Sequence, residues 1–423
     1  MGKVLLSFLG TGIPTIIGDS IKPMREYRKA DYIIDGKIYH GYTLMSLVLS
    51  EHYSIDKILM VGTVRSMWEE LYRRFYEKGG LYVVDSDEVY RIYSEIGDFC
   101  ESSNHNSDLF ITHQDDIEKV MGTGSKVLLI KYGLNEDEIR GIINRILSLQ
   151  DYLEDDDELI VDITHSFRSL PIFIMYLLIY LRNVCPKKIS ISHIHYGMFE
   201  AKSEFNEIAP VVDLNAMLDV QEWITAAYAF SMFGNAYKIA ELLGSQDENI
   251  GSILESFSDT MNLNLFFPIQ LLSNIQNNNY HTDLPKQIIN PVVEQYVKTF
   301  SVNNTTHEKS FFQYKLADWQ FKHKKYGQAF LTSNEALITY VCELNNMDWT
   351  SKNIRNQAKQ ILWGIKTGIC TPQMQTWFDE HNKLRNGIAH PNDITQVSNE
   401  QIKEIIQRLE DNITNLKEIM NVT

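Results

Sequence analysis

The stretch VDITHSFRSLPIFIMYLLIYL, from Val161 to Leu181, decides the fold class because it joins a strand, a polar loop and a helix. The apolar run from Leu159 to Ile163 is short and rich in branched residues, which is typical of a buried strand. Pro171 favours the first turn of a helix. The apolar part of that helix, Leu170 to Leu181, has twelve residues, whereas a bilayer span takes roughly 20. We therefore expect a buried helix and no membrane segment.

The same alternation of strand and helix recurs through the first half of the chain. Apolar runs predict strands at Val4–Leu9, Lys57–Val61, Lys126–Lys131, Leu159–Ile163 and Lys188–His195. Helical patterns such as Ser66–Lys78 and Asn135–Leu153 lie between them, and the second begins with a capping-box pair, Asn135 and Glu138. Asp35-Gly36 in YIIDGKIY favours a type I′ hairpin turn. The pattern predicts an α/β domain, with helices on both faces of a mostly parallel sheet.

From about residue 215 the pattern becomes helical. The stretch LNAMLDVQEWITAAYAFSMFGNAYKIAELL, Leu214 to Leu243, predicts one long helix, and further helical blocks follow. No strand pattern of comparable quality follows Ile194. We therefore predict an α/β domain over residues 1–214 and an all-α domain over residues 215–423.

Charge and cysteine content argue against several classes of protein. A net charge of −16 and a pI near 5.2 do not suit a protein that coats nucleic acid through many contacts with phosphate, so we expect no stable DNA binding. The four scattered cysteines form no CxxC pair and have no histidine at metal-ligand spacing. We expect reduced thiols, a cytoplasmic location, and no bound metal or cofactor. The apolar run in MGKVLLSFLG is too short for a signal peptide.

Small polar residues follow each predicted strand. The five loops begin Gly10-Thr11-Gly12, Gly62-Thr63, Tyr132-Gly133, Thr164-His165-Ser166 and Tyr196-Gly197. The carboxyl ends of parallel strands meet at one rim of an open sheet, where ligands bind. Glycine allows close backbone approach, and hydroxyls bond to phosphate, sugar or base edges. Turns and helix caps use the same residues, but the agreement of five loops favours a binding rim.

The loop after the fourth predicted strand carries the strongest local signal. Thr164, His165, Ser166 and Arg168 lie just before the predicted helix. Backbone N–H groups at a helix start, with an arginine beside them, suit a ligand that carries phosphate groups. The residues alone are equally compatible with a structural role, in which His165 bonds within its loop and Arg168 pairs with the acidic run upstream.

A second cluster lies near the end of the chain, in LRNGIAHP, Leu384 to Pro391. Pro391 disfavours the α conformation at His390 and ends the helix there. RNA supplies its own nucleophile, the 2′-hydroxyl, so cleavage needs only proton transfer, which His390 can perform, and a fixed guanidinium on the phosphate, as Arg385 offers. Asn386 can orient either partner. The alternative is a helix end where Arg and His meet the helix dipole.

Together these motifs resemble the CRISPR-associated CARF–HEPN ribonucleases. SFLGTG, VGTVRSMW, VDITHSFRSLP, HYG and RNGIAH occur in the order expected for that family. The resemblance implies a Rossmann-like N-terminal domain that senses cyclic oligoadenylate and a helical HEPN domain that cleaves single-stranded RNA without metal. It also implies a homodimer. Ser166 departs from the glycine that relatives commonly carry in Asp-x-Thr-His-Gly-x-Arg, which leaves the preferred ring size open.

The resemblance also implies roles for individual residues. Those at the cyclic oligoadenylate site would be Gly10, Thr11, Gly12, Thr63, Thr164, His165, Ser166 and Arg168. Arg385, Asn386 and His390 from both protomers would form the catalytic site, with Glu335 as a weakly matching accessory acid. Two rival functions remain: a sensor or scaffold without catalysis, and a sensor that also degrades its own activator.

Overall fold

The structure, a computed structural model, describes residues 2–15, 24–78, 87–165, 169–244, 247–276, 283–303, 306–389 and 398–422. For residues 13–15, 24–26, 78, 276, 283–285 and 385–389 only the backbone is described. The chain divides into two compact units, Met1–Asp219 and Val220–Thr423. The boundary between the units, after Asp219, lies five residues beyond the boundary predicted after residue 214.

The first unit is built on one large sheet. The strands of this unit are β1 (Lys3–Leu9), β2 (Ile13–Thr15), β3 (Met24–Glu26), β4 (Ala30–Ile34), β5 (Lys37–Tyr42), β6 (Lys57–Gly62), β7 (Lys126–Leu129), β8 (Glu158–Asp162), β9 (Ser190–Gly197) and β10 (Ile208–Asp213). Of these, β2 and β3 form a separate two-stranded ribbon, and the other strands form the large sheet. The order across the large sheet is β5-β4-β10-β9-β8-β1-β6-β7. The five strands from β9 to β7 run parallel, so the predicted mostly parallel sheet is confirmed.

Helices cover both faces of this sheet. They are α1 (Met45–Tyr53), α2 (Trp68–Lys78), α3 (Asp87–Ser102), α4 (Gln114–Met121), α5 (Glu136–Leu147) and α6 (Leu170–Asn183), with short 3-10 helices at Ser148–Tyr152 and Phe199–Glu204. Alternate residues of β1 enter two different cores: Leu5 and Leu9 pack with α1 to α4. Val4, Leu6 and Phe8 pack with α5 and α6. The period of two along the strand therefore divides the apolar side chains between the two layers.

Several local predictions for this unit are confirmed and others are wrong. The β4–β5 hairpin has positive φ at both Asp35 and Gly36, as a type I′ turn requires. Asn135 caps α5 by accepting from the Glu138 amide at 2.9 Å. Glu138, however, accepts from the amides of Gly133 and Leu134, so the reciprocal half of the capping box does not form.

The prediction that no strand follows Ile194 is wrong, because β10 inserts between β9 and β4. Its central Pro210 lacks an N–H and obscured the pattern. The Pro210 carbonyl still accepts from the Met198 amide at 2.9 Å. In the described part of the chain, none of the helices is apolar over enough of its length to cross a bilayer, and α6 exposes Ile172 and Tyr176.

The second unit contains helices throughout its described residues. They are α7 (Ala216–Phe233, which begins in the first unit), α8 (Tyr237–Gly244), α9 (Glu248–Leu263), α10 (Gln270–Gln276), α11 (Asp283–Phe300), α12 (Glu308–Lys322), α13 (Tyr326–Leu344), α14 (Lys352–Leu362), α15 (Pro372–Ala389) and α16 (Asn399–Met420). The predicted all-α half is confirmed. One apolar core joins α7 to α12, and a second surrounds α13, which packs against α12, α14, α15 and α16.

The single long helix predicted over residues 214–243 is wrong. It is broken into α7 and α8 at Gly234, whose φ is +68°. The Gly234 amide closes the helix end by donating to the Phe230 carbonyl at 2.9 Å. The Ala236 amide then donates to Ser258 on α9, so the chain turns where a glycine allows it.

Candidate functional site

The carboxyl ends of β1 and β8 define a crevice in the first unit. In chain order the parallel strands are β1, β6, β7, β8 and β9, and in space they run β7-β6-β1-β8-β9. The order therefore reverses between β1 and β8. Ligands of open α/β sheets bind outside the carboxyl ends at such a switch point, and the two loops that meet here begin at Gly10 and Ile163.

Gly10 lies directly against the loop that follows β8. A Cβ atom at Gly10 would lie 3.0 Å from the His165 carbonyl oxygen and 3.3 Å from the Tyr27 hydroxyl. That hydroxyl donates to the Gly10 carbonyl at 2.8 Å. Gly12, two residues on, has φ of +69°, and Thr11 between them is partly exposed. The first loop therefore depends on glycine to approach the second.

Asp162 and Thr164 join three strands beneath the crevice. The buried Asp162 carboxylate accepts from the Ser7 hydroxyl of β1 at 2.6 Å and from the Thr164 amide at 2.9 Å. The Thr164 hydroxyl accepts from the Gly197 amide at the end of β9, also at 2.9 Å. The Thr164 side chain is therefore engaged in holding the ends of β8 and β9 together.

His165 contacts the start of a helix. Its Nε2 atom accepts a hydrogen bond from the Met45 amide, the first residue of α1, at 3.3 Å. Leu44, at the N-cap position of α1, has no polar side chain to accept that bond. Desolvation lowers the pKa of His165, against the opposing effect of the Asp162 carboxylate. The ring is therefore neutral near pH 7, and its proton lies on Nδ1.

Thr63 lies away from the crevice in this conformation. Its side chain is fully buried, with the hydroxyl 3.3 Å from the Ser66 hydroxyl. Its amide donates to the same Ser66 oxygen at 2.9 Å, and its carbonyl accepts from the Trp68 indole. The geometry gives Thr63 a role in bracing the loop before α2, and its predicted ligand contact stays a prediction.

The other predicted site residues lie at or beyond the edge of the described chain. Arg385 and Asn386 lie in the last turns of α15, where the backbone alone is described. The described part of α15 runs to Ala389, so the predicted helix stop at His390 is not tested. Ser166, Arg168 and His390 lie outside the described residues.

One helical turn before Arg385, the imidazole of His381 ties three helices together. Its Nε2 atom lies 3.0 Å from both the Phe330 carbonyl and the Ser333 hydroxyl of α13. Its Nδ1 atom lies 3.3 Å from the Asn412 side-chain amide of α16. Buried polar contacts of His381 therefore hold α15, the helix that carries Arg385 and Asn386, against α13 and α16.

Glu335, the weakly matching accessory acid, already has a basic partner. Its carboxylate forms an ion pair with Arg355 of α14. Arg355 also donates to the Thr339 hydroxyl at 3.0 Å and to the Trp349 carbonyl at 3.1 Å. These contacts join α13 to α14.

The sequence reasoning missed a cluster on β9 and β10. His193 and His195 stack with 5.2 Å between ring centroids, and the His193 Nδ1 atom lies 2.6 Å from the Asp213 carboxylate. Burial acts to raise the pKa of Asp213, but hydrogen bonds from His193 and two backbone amides outweigh it and lower that pKa. The visible signal was the alternation His-Ile-His in a strand, which puts two imidazoles on one face.

Comparisons with known proteins agree with this architecture. Residues 4–200 match the family model described as CRISPR system endoribonuclease Csx1, CARF domain. Residues 219–305 match CRISPR-associated protein MJ1674, second domain. The CRISPR-associated protein MJ1674 of Methanocaldococcus jannaschii is 31% identical over an alignment of 413 residues, which covers 92% of this chain and 62% of that relative.

Among solved structures, Enterococcus italicus Csm6 bound to cyclic hexa-2'-fluoro-hexa-dAMP is similar over 99% of this chain and 94% of that chain, with 12% identity and a TM-score of 0.40. The family models and the relative carry the assignment. Residues 4–200 therefore form a CARF domain of the kind found in CRISPR system endoribonuclease Csx1, and the chain is similar to a CRISPR-associated protein over most of its length. The family resemblance drawn from SFLGTG and VDITHSFRSLP is thereby confirmed.

Proposed function

We propose that the chain is an accessory ribonuclease of a type III CRISPR system. Residues 1–214 would bind cyclic oligoadenylate, and residues 215–423 would form a HEPN domain that cleaves single-stranded RNA without a metal ion. One observation carries the sensor assignment: Gly10 lies so close to the loop after β8 that a Cβ atom built on it would be 3.0 Å from the His165 carbonyl oxygen. This contact lies at the switch point of a CARF domain. The nuclease assignment rests on the RNGIAH motif and on family membership.

The crevice has donors that suit a cyclic nucleotide. Because His165 accepts from the Met45 amide through Nε2, its Nδ1–H is left to donate to a phosphate oxygen or a base nitrogen. Gly10 and Gly12 leave their backbone close to the ligand. Thr11 adds a hydroxyl, and Ser166 and Arg168 would complete the phosphate contacts. Cyclic tetra-adenylate is the favoured ring, bound across two copies of this surface in a homodimer.

The chemistry proposed for the helical half uses the substrate's own hydroxyl. The 2′-oxygen attacks the adjacent phosphorus and the bond to the 5′-oxygen breaks, which gives a 2′,3′-cyclic phosphate and a 5′-hydroxyl. His390 moves the proton, Arg385 stabilises the charge that develops on phosphorus, and Asn386 orients the phosphate. Arg385 and His390 are about 140° apart on an ideal helix, so a second copy is needed to gather them at one phosphate.

Activation requires that the ring bind the active arrangement more tightly than the inactive one. Couplings of this kind are typically about 1–3 kcal/mol, or roughly 5- to 150-fold in activity at subsaturating ring. The expected assay result is therefore little cleavage without ring and strong cleavage with it. Light scattering of the full chain should give the mass of a dimer.

The test measures cleavage of a labelled single-stranded RNA in EDTA, with cyclic tetra-adenylate, cyclic hexa-adenylate or no ring. His390→Ala should abolish cleavage, whereas His323→Ala, a histidine at the end of α12, should retain it. Cleavage that persists in His390→Ala would refute the catalytic assignment. Ring binding without RNA cleavage would support a sensor or scaffold, and consumption of labelled ring by His390→Ala would identify a sensor that degrades its activator.

A further inference from the structure

The edge between β9 and β10 brings two histidines and a carboxylate onto one face of the sheet. His193 and His195 are two residues apart on β9, so their side chains project to the same side. Asp213 on β10 is the antiparallel Cα partner of His195, and directly paired residues share a face. One ligand atom from each of the three side chains lies within 4.8 Å of the others.

Neighbouring groups hold these side chains in place. One oxygen of Asp213 accepts from the backbone amides of Ile194, at 3.1 Å, and Asn215, at 2.9 Å. The other lies 2.6 Å from the His193 Nδ1 atom. The Tyr53 hydroxyl lies 2.8 Å from the Nε2 atom of His195. Such supporting contacts orient the ligands of metal centres and contribute to their affinity.

The cluster is closed on one side and open on the other. His195 is only 3% exposed, whereas the side chains of His193 and Asp213 are 33% and 36% exposed. Two histidines and one carboxylate with an open side are a common donor set for zinc. We propose that His193, His195 and Asp213 bind one divalent transition-metal ion of the Zn²⁺ type, with a water or an exogenous ligand on the exposed side.

The ion requires only a small adjustment of the side chains. Bonds of about 2.0–2.2 Å to nitrogen and oxygen in a tetrahedral centre put ligand atoms roughly 3.3–3.5 Å apart. The longest present separations, at most 4.8 Å, therefore have to shorten by about 1–1.5 Å, and the 2.6 Å contact between the His193 Nδ1 atom and Asp213 has to lengthen by about 1 Å if those two atoms are the ligands. Rotation of the half-exposed His193 and Asp213 side chains about their χ angles supplies this movement while His195 stays fixed.

The competing explanation is a metal-free stack. Tyr53 contacts both histidine rings, with centroid distances of 4.9 Å to His193 and 5.5 Å to His195. Asp213 would then serve only to orient His193 and to bond the backbone near the start of α7. This explanation predicts that the cluster takes up no metal, so direct binding measurements separate the two.

The experiment uses the tag-free full chain, stripped with EDTA and exchanged into chelator-free buffer. Zn²⁺ affinity is measured by competition with a chromophoric chelator, and Co²⁺ is added separately to record its visible absorption. We expect one ion per chain and the intense Co²⁺ bands of a low-coordinate centre. His193→Gln and Asp213→Asn should each weaken Zn²⁺ binding by at least about tenfold. Asn at 213 keeps a carbonyl oxygen for the two backbone amides, which preserves the fold.

His40→Gln is the matched control. His40 forms an exposed pair with Asp31 at 2.7 Å on neighbouring strands, yet it belongs to none of the three-ligand groups found among the described residues. Its replacement should leave Zn²⁺ affinity and the Co²⁺ spectrum unchanged. The proposal is overturned if the intact chain takes up no ion saturably, or if uptake survives undiminished in His193→Gln. RNA cleavage plays no part in this readout, so the inference stands apart from the proposed nuclease.

Discussion

Replacement of His381 tests whether the predicted catalytic helix is anchored by a buried polar network. His381 is fully buried on α15, with Asn412 of α16 against its Nδ1 atom. Its ring stacks on Trp377, with centroids 4.3 Å apart and planes inclined by 13°. His381→Ala removes the imidazole from a packed interior, while His381→Phe keeps most of the volume and loses the hydrogen bonds. The two variants therefore separate packing from polar pairing.

The cost of each substitution follows from what it leaves behind. In His381→Ala the Asn412 amide loses its partner, which costs about 1–3 kcal/mol for a buried donor. The cavity adds about 2–4 kcal/mol, as for other large-to-small changes in a core. We expect His381→Ala to lower the free energy of unfolding by about 3–7 kcal/mol in total. His381→Phe should cost about 1–3 kcal/mol, because only the polar part is lost.

Urea unfolding followed by tryptophan fluorescence measures these values. Of the six tryptophans, all except Trp68 lie in the second unit, so the signal reports mainly on the helices around His381. His323→Ala is the control: His323 also stacks on a tryptophan, Trp319, at 4.0 Å, but it is partly exposed at a helix end. It should cost less than about 1 kcal/mol. A loss below about 1 kcal/mol in His381→Ala, or a larger loss in His381→Phe, would refute the reasoning.

Three further outcomes follow from the first unit. Folding lowers the pKa of His165 from its usual 6.5. As the pH falls below about 6.5, the unfolded chain is therefore protonated before the folded one, and the free energy of unfolding decreases. The thermal midpoint should drop less between about pH 7.5 and 5.5 in His165→Gln than in the unaltered protein, and an equal drop in both would contradict this. Gly62→Ala should destabilise by about 1–3 kcal/mol, since its Cβ would lie 2.6 Å from the ring of the buried Trp68, and an unchanged midpoint in urea unfolding followed by circular dichroism would contradict the clash. Gly141→Ala, exposed within α5 with nothing within 4 Å of its Cβ, should instead stabilise by about 0.5–1 kcal/mol in the same assay; a loss would show that the helix does not have this conformation.

The sequence pattern predicted the central architecture because its signals are local. Each buried parallel strand is a short apolar run, and helices such as α5 have an apolar period and a capping residue of their own. β10 was missed because Pro210 interrupts its pattern, while its place in the sheet comes from pairing with β9 and β4. The break at Gly234 was missed because it is stabilised from a distance: just after it, the Ala236 amide donates to Ser258, 22 residues further along the chain. Long-range partners of this kind leave no local trace.

For the candidate site, too, local sequence signals were informative and long-range contacts were not foreseen. The rule that parallel strands end at one rim was sufficient to select the loops at Gly10 and Thr164. The same rule also selected Thr63, although its side chain is buried. The Ser66 hydroxyl accepts from the Thr63 amide and donates to the Leu9 carbonyl at 2.6 Å, and these bonds hold Thr63 inward. The contact between His165 and Met45 spans 120 positions. Residue type and spacing therefore located the rim, while the orientation of each side chain depended on tertiary contacts.

Three histidines show why residue type alone does not assign a role. A backbone amide faces the Nε2 atom of His165, and an amide can only donate, so this ring must be an acceptor there and stay neutral. A backbone carbonyl faces the Nε2 atom of His381, and a carbonyl can only accept, so this nitrogen must carry a proton. A carboxylate faces the Nδ1 atom of His193, which suits either a proton or a cation at that position. The atom opposite one ring nitrogen thus distinguishes the roles that we propose for the three histidines: a ligand contact for His165, a structural link for His381 and a metal donor for His193.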